Sequence, residues 1–571
     1  MKIFKFFLIL LVFTFSLVMQ SCNLDEELLD TPTPDLITTE ADVTALINGA
    51  YARFNDAAAF KFQGMMPLML MADDLYSDVG GEFGPYAQRT LSGVNTNAFW
   101  NQLYFSIGSA NDLVSTLDKL ELSPAFEKRA YGEAYFLRAF SYYYLVRMFG
   151  GVPLRLQQVN IDSDFYLPRS TTDEVYAQIF LDLKEASWRL PLYSQISVAE
   201  LGRASKGAAQ AILAQAYLTY GNQKSLKSQS TTTEYQNAIV YADSVIASGQ
   251  YQLIDNYADI FDIAKESSAY NEVIFGIRFQ TDQQARAQPA AGSEFALRFM
   301  APATHFVTGR PVTGAGAGSI RPMPWVADYY RTGDYASGTG TTKVIDYRNQ
   351  VAFYQRGFNG ATNQFVVTYP NISTATEGRI ATPLIGKYID PNGKDDRNHG
   401  NDFFVIRFAE VYLIKAEAEY ELNGPTAIAL QAFNKVRERA RTPNGTDRVV
   451  PADLTATTAG TKSTFRKKIF DERGLELIGE GQRWFDLVRM QHPADPTKTM
   501  YEYQFKQELV QTKYPKTLPV WRPANNTWSN ANAVYAPALN VSVPKFLLFP
   551  VPTNEVLQNP SIGLQNQNPG W

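Results

Sequence analysis

The stretch Glu133-Ala134-Tyr135-Phe136-Leu137-Arg138-Ala139-Phe140 opens a run that continues to Met148, and its periodicity sets the architecture. Leu137, Phe140, Tyr144 and Met148 recur at helical spacing on one face, and Phe136, Ala139, Tyr143 and Val146 recur on another. A surface helix needs one apolar stripe, so a helix with two must be packed between neighbours. Gly150-Gly151 then supplies a stop, and Pro153 blocks resumption.

The same texture repeats downstream. Lys206 to Tyr220 is dense in alanine (Ala208, Ala209, Ala211, Ala214, Ala216), which lets helices approach closely, and Glu234 to Ser248 reads as its partner. Ala409, Leu413, Ala416 and Tyr420 form a further stripe, Gly424-Pro425 breaks it, and Ala429, Phe433, Val436 and Ala440 form the next. Helix, short turn, helix, with small residues at the crossings, is tetratricopeptide-like packing, although the strict repeat signature is absent. Between these blocks, residues 280–400 are rich in Gly, Thr, Asn and Tyr without sustained periodicity; 79–99 and 495–545 have the same character. Loops of such length in a compact protein usually carry function.

With 571 residues, the chain exceeds a typical single core, so it is either two domains or a repetitive scaffold with long insertions. Charged residues make up 19% and hydrophobic ones 45%, which excludes a disordered chain. A net charge of −5 without basic runs argues against a nucleic-acid partner. Aromatics reach 13%, enough to line a ligand surface as well as a core. Cys22 is the single cysteine, so no internal disulfide or thiolate metal cluster can form.

Lys2 and Lys5 precede an apolar run from Phe6 to Met19, too short for a membrane span and suited to a secretory signal. It ends in Met19-Gln20-Ser21-Cys22, which resembles a bacterial lipobox, so residues 1–21 read as a lipoprotein signal peptide and Cys22 as the lipidated mature N-terminus. The covalent lipid, at roughly 0.8 kcal/mol per buried methylene, would anchor the protein to a membrane. Residues 22–40, acidic and punctuated by Pro32 and Pro34, read as a solvated tether.

Taken in order, several blocks resemble the SusD/RagB family of nutrient-binding lipoproteins. They are Cys22 with its acidic tether; Glu133 to Ala139 continuing into Phe149-Gly150-Gly151-Val152-Pro153-Leu154; Arg407 to Ala418 followed by Asn434-Lys435-Val436-Arg437; Glu472-Arg473-Gly474-Leu475-Glu476-Leu477 running on to Glu480-Gly481-Gln482-Arg483-Trp484-Phe485-Asp486; and Phe549-Pro550-Val551-Pro552 with the ending Gln567-Asn568-Pro569-Gly570-Trp571. The resemblance implies a mainly α, SusD-like fold over residues 41–571. A tetratricopeptide-like helix-pair scaffold would occupy mainly 41–270 and 402–490. A loop-rich variable half would bind ligand, mainly through 75–100 and 280–400. It also implies a non-catalytic role on the outer face of the outer membrane, capturing oligosaccharide for a SusC-like TonB-dependent transporter and acting as a lid on its barrel. Peptide ligands, as in the RagB branch, are the alternative.

Sugar C–H faces pack on flat rings while rim groups bind hydroxyls, and this guides the choice of candidate contacts. Trp100 with Asn101 stands where the 79–99 loop enters a helix, and the resemblance implies family ligand contacts near this junction. Trp325, Tyr329 and Tyr330 follow Pro322 and Pro324, and helical spacing places Trp325 and Tyr329 on one face. Tyr86 and Arg89, with Asp73-Asp74 before them, are further candidates.

A surface hydrolase would need paired carboxylates across a cleft, and Glu472, Glu476 and Glu480 recur every fourth residue. Interleaved Arg473, Arg483 and Arg489 mark them instead as structural ion pairs, and no zinc-protease, nucleophile-elbow or Walker motif occurs, so no enzyme is expected. Asp390 to Asp396 alternates oxygen ligands, but Lys394 occupies a ligand position and the Gly is misplaced, which speaks against calcium. No cofactor is expected.

Overall fold

The computed structural model describes residues 37–571 apart from 62, 78–80, 281–291, 301–303, 306–317, 360–361, 372–377, 381, 392–397, 506–516, 523–526 and 535–542. The expected signal peptide, Cys22 and most of the tether lie outside these residues. The tether expected to reach residue 40 gives way slightly earlier, because Ile37 already packs on a small core and Thr39 caps the first helix.

The scaffold begins with α1 (Glu40–Ala52), α2 (Gly93–Leu117), α3 (Pro124–Phe149), α4 (Thr172–Arg189), α5 (Lys206–Leu226) and α6 (Thr232–Ala247). Their starts follow local chemistry: Thr39 with Asp42, Ser92 with Asn95 and Thr171 with Glu174 form reciprocal capping boxes that satisfy N-terminal N–H groups. Gly150 ends α3 at φ +73°, a conformation with little penalty for glycine. Successive helices pack on one another from α2 through α6. The two stripes of α3 are both covered, for every residue from Phe136 to Phe149 is buried. Alanines of α5 allow close approach, and at Gly221 a Cβ would stand 2.9 Å from the Tyr235 ring of α6.

The second block follows a short helix, α7 (Pro324–Tyr329), and comprises α8 (Phe408–Asn423), α9 (Ala427–Arg441), α10 (Lys462–Glu476) and α11 (Arg483–Arg489). Helix α8 packs on both α6 and α9, so the two blocks join into one array. Strands β1 (Leu75–Tyr76), β2 (Val273–Ile277), β3 (Thr304–His305), β4 (Arg321–Pro322), β5 (Arg356–Asn359), β6 (Gln364–Thr368), β7 (Gly378–Ile380) and β8 (Phe403–Arg407) decorate it. The 280–400 stretch, which shows no period in sequence, contains a small sheet ordered β3-β5-β6-β7, with β6 and β7 parallel. Within 495–545 a hairpin joins β9 (Thr517–Arg522) to β10 (Thr527–Val534), with Trp521 opposite Trp528.

A buried ionic network ties the halves together. Arg407 Nη1 donates to Glu272 at 2.8 Å and Glu476 at 3.0 Å, and its Nε donates to Glu480 at 2.7 Å. Arg348 reaches Glu472 at 2.7 Å and Glu476 at 3.0 Å; Arg437 bonds Glu472 at 2.7 Å, and Lys387 bonds Glu480 at 2.6 Å. A second cluster links Arg473 to Glu410 and Asp486, and Arg489 to Glu417. Glu480 lies past the end of α10, in a turn, yet joins the same network. Glu472, Glu476 and Glu480 are therefore in structural ion pairs, as expected, but their partners are Arg348, Arg407, Arg437, Arg439 and Lys387 from elsewhere in the chain, while the interleaved Arg473, Arg483 and Arg489 pair with Glu410, Asp73 and Glu417.

Candidate functional site

The antiparallel contact of β1 with β4 pairs Leu75 with Pro322 and Tyr76 with Arg321, and the Asp74 carbonyl accepts from Met323 N–H at 2.8 Å. The first loop is thereby fastened at Asp74 to the base of α7, and the sequence-predicted contacts come from the segments on either side of this joint. They divide sharply by exposure.

Trp100 is 1% exposed, with its ring edge-on to Phe149 at 4.9 Å and tilted on Tyr104 at 5.0 Å. The expectation that it offers a face to ligand fails on burial. Tyr86 is buried and donates to the Asn95 carbonyl at 2.9 Å. Arg89 is buried with φ +54°, reaches the Met71 and Ala72 carbonyls at 3.4 and 3.3 Å, and lies over the Phe505 ring. Tyr330 is enclosed and donates to the Leu475 carbonyl. Asp74 is also buried; burial first, and then the charge of Asp73, push its carboxyl up to about 7 despite the opposing pull of Arg483. Neighbouring Asp73 is claimed by Arg483, with bonds of 2.7 and 2.9 Å. All six therefore belong to the framework. Asn101 is half-buried on α2.

Trp325 and Tyr329 stand where helical spacing predicts, on one face of α7, with rings 6.4 Å apart at 83°. Both are half-buried. The Trp325 Nε1 is enclosed without a hydrogen-bond partner among the described residues, so the tryptophan offers its ring and not its N–H. Tyr329 is braced from behind, its hydroxyl donating to Asp471 of α10. Burial and then the Asp471 charge hold that hydroxyl far above the usual tyrosine range.

Two residues that sequence reasoning missed extend the face. Tyr369, just past β6, donates to both carboxylate oxygens of Asp328 on α7, at 2.8 and 2.7 Å. Trp528 of β10 sets its ring edge-on to Tyr369, 5.5 Å away at 75°, and its Nε1 donates to the Asn371 carbonyl at 2.8 Å. Both are half-buried. Their stretches read as functional loops in sequence, but nothing local distinguishes these rings from their neighbours. Below α7, a cavity of about 350 Å³ opens beside Tyr329, Asp334, Tyr335, Lys467, Lys468 and Asp471.

A larger cavity of about 720 Å³ lies elsewhere, between α1 and β2. Its charges are consumed within the protein: Arg203 pairs with Glu133, Glu200 with Arg129, and Arg278 with Glu266 and Asp402. It lacks a cluster of stacked rings, so the aromatic face is the better candidate. Of the calcium-like stretch, Asn392 to Asp396 lie outside the described residues; among those described, no group of three or more His, Cys, Asp or Glu could hold a metal. Among them also, no helix is long and apolar enough to cross a membrane.

The SusD family profile matches residues 271–571, and a profile described as starch-binding associating with outer membrane matches 25–218. SusD-like protein P2 of Formosa agariphila is 28% identical over 474 residues, covering 79% of this chain and 84% of its own length. A SusD homologue of Bacteroides thetaiotaomicron superposes with a TM-score of 0.72 at 19% identity, over 94% of this chain and 98% of that one. A laminarin-binding SusD-like protein superposes with a TM-score of 0.66 at 20% identity, over 94% and 100%. With its profile spanning more than half of the residues and its mainly helical fold shared, the chain belongs to the SusD/RagB family.

Proposed function

We propose that this protein is a non-catalytic, lipid-anchored receptor on the outer surface of the outer membrane. It captures oligosaccharides on the Trp325–Tyr329–Tyr369–Trp528 face and delivers them to a SusC-like TonB-dependent transporter, over which it closes as a lid. The observation that carries this reading is the face itself. Four half-buried rings from three separate chain segments form two edge-on pairs, Trp325 with Tyr329 and Tyr369 with Trp528, linked through the Tyr369–Asp328 hydrogen bond and backed by further bonds to Asp471 and Asn371. Flat rings held rigidly lose little entropy on contact with sugar C–H faces. The laminarin-binding relative supports a glycan as the ligand class. The non-catalytic reading is supported by Glu476: burial pushes its carboxyl up, but Arg439, Arg407, Arg348 and Lys387 outweigh this and hold it at about 2, the reverse of what a general acid needs.

Titration calorimetry with neutral oligosaccharides and peptides tests the reading. Binding is expected between micromolar and millimolar, about −4 to −8 kcal/mol, and to depend on Trp325; a peptide-only binder would defeat it. Cys22→Ser is expected to release the protein from membranes, and a mutant that stays bound would remove the lipid anchor from the account.

A further inference from the structure

We infer that the end of the helical array around the first turns of α3 lies on the membrane surface, with Trp188, Leu192 and Val198 set into the headgroup layer; this rests on the reading of Cys22 as the lipidated residue. Two independent observations meet there. The first is where the anchored chain enters. Ile37, the first described residue, packs on the small core of Leu113, Leu117, Ala130 and Ala134. Just beyond it, Glu40 accepts from the Ser123 N–H at 3.0 Å, immediately ahead of α3. A fully extended chain spans at most about 3.6 Å per residue, so Cys22 lies within roughly 50 Å of this end.

The second is what this end exposes. A surface helix turns polar residues outward. Yet Trp188, in the last turn of α4, is 56% exposed, Leu192 just after it 38%, and Val198 71%. Contacts bring them to the same turns of α3. The Lys128 ammonium lies 4.8 Å from the centre of the Trp188 ring, and Arg129 pairs at 2.8 Å with Glu200, the last residue of the short 3₁₀ turn Val198–Glu200. The indole N–H of Trp188 donates to Glu185 at 3.1 Å, and the Arg189 guanidinium lies 4.3 Å from its ring centre. The ring is thus held with a polar edge and an open apolar body, flanked by long cationic side chains, as suits a bilayer boundary. Exposed apolar residues scattered singly are ordinary. These three gather at the entry of a lipidated chain, and the anchor supplies the proximity that makes a weak contact persist. Their apolar area is small beside acyl chains, so the contact sets orientation and the lipid sets attachment.

The test is tryptophan fluorescence of the full lipidated chain in dioleoylphosphatidylcholine vesicles, plain or brominated on the acyl chains near the headgroups. Brominated lipid is expected to quench the emission. Trp188→Phe should abolish most of that quenching, and Trp325→Phe should not. Leu192→Glu combined with Val198→Glu, which keeps the tryptophan, should cut it about twofold or more, while every variant still sediments with the vesicles. If the protein sediments but bromine quenches nothing, or quenching survives Trp188→Phe, the face is wrong while the anchor stands. If the protein does not sediment with vesicles, the lipidated Cys22 is wrong and the face falls with it. Shielding of Trp188 from acrylamide that rises with protein concentration in the absence of vesicles would identify a second copy as the occupant. Shielding that requires the co-reconstituted transporter would assign the face to that partner. Either result overturns the lipid contact.

Discussion

Helix α10 and helix α7 use opposite materials in opposite places. Around α10 the charges are sunk, with Arg348, Arg407, Glu472 and Glu476 all at 0% exposure, and the ions neutralise one another. Around α7 the charges sit near solvent and the rings stand half out. In an ordinary globular protein rings fill the core and ions face water. The inversion separates framework from site: a buried ion satisfied from several sides specifies packing, whereas a half-exposed ring that is rigidly braced has a surface left over for something else.

The largest effect should come from breaking the ionic side. Arg407→Ala leaves Glu272, Glu476 and Glu480 short of a shared donor, and breaking a buried pair costs about 3–5 kcal/mol. Urea unfolding measures it; a loss below about 1 kcal/mol would mean the network is not what holds the halves together.

Acid should attack the same region. Glu476 falls from an ordinary 4.5 to about 2, so the stability it contributes is complete above pH 4.5 and lost as pH drops through about 2. That difference is roughly 3 kcal/mol. A melting temperature flat from pH 4.5 down to 2 would contradict it.

On the aromatic side the signature should reverse. Trp325→Ala is expected to weaken glycan binding by about 1.5–3 kcal/mol, as for a central anchoring ring, with little change in unfolding free energy. Trp100→Ala should do the opposite, destabilising the fold and sparing affinity in whatever protein remains folded. If the two variants behave alike, the division between framework and face dissolves.

The last effect sharpens the boundary between them. The folded state holds a proton on Asp74 that the unfolded chain releases between pH 3.8 and about 7, so stability declines as pH rises across that window. Asp74→Asn keeps the shape without the charge and should stabilise the protein by up to about 4 kcal/mol at pH 8, with the gain vanishing near pH 4. Equal stability of the two proteins at pH 8 would remove the buried-charge account.

Much of the scaffold was legible in the residues themselves. A 3.6-residue period, Thr39, Ser92 and Thr171 as caps, and Gly150 and Gly424 as stops are local signals, because helices are built from bonds between near neighbours. Two stripes on one helix even announced that α3 would be enclosed. The family could be read from blocks made of these same local patterns.

Only the tertiary structure decided which rings face outward. Trp100 and Trp325 look alike in sequence, each at the edge of an irregular loop, yet one is sealed by Phe149 and Tyr104 and the other stands half open. Tyr369 and Trp528 reach the face through the end of β6 and the β9–β10 hairpin, both far from α7 along the chain. Burial is a property of what arrives from elsewhere, and a loop has no period to say which side that will be. The sequence by itself therefore determined the helical frame and its family, while long-range packing chose which aromatic residues became framework and which became surface.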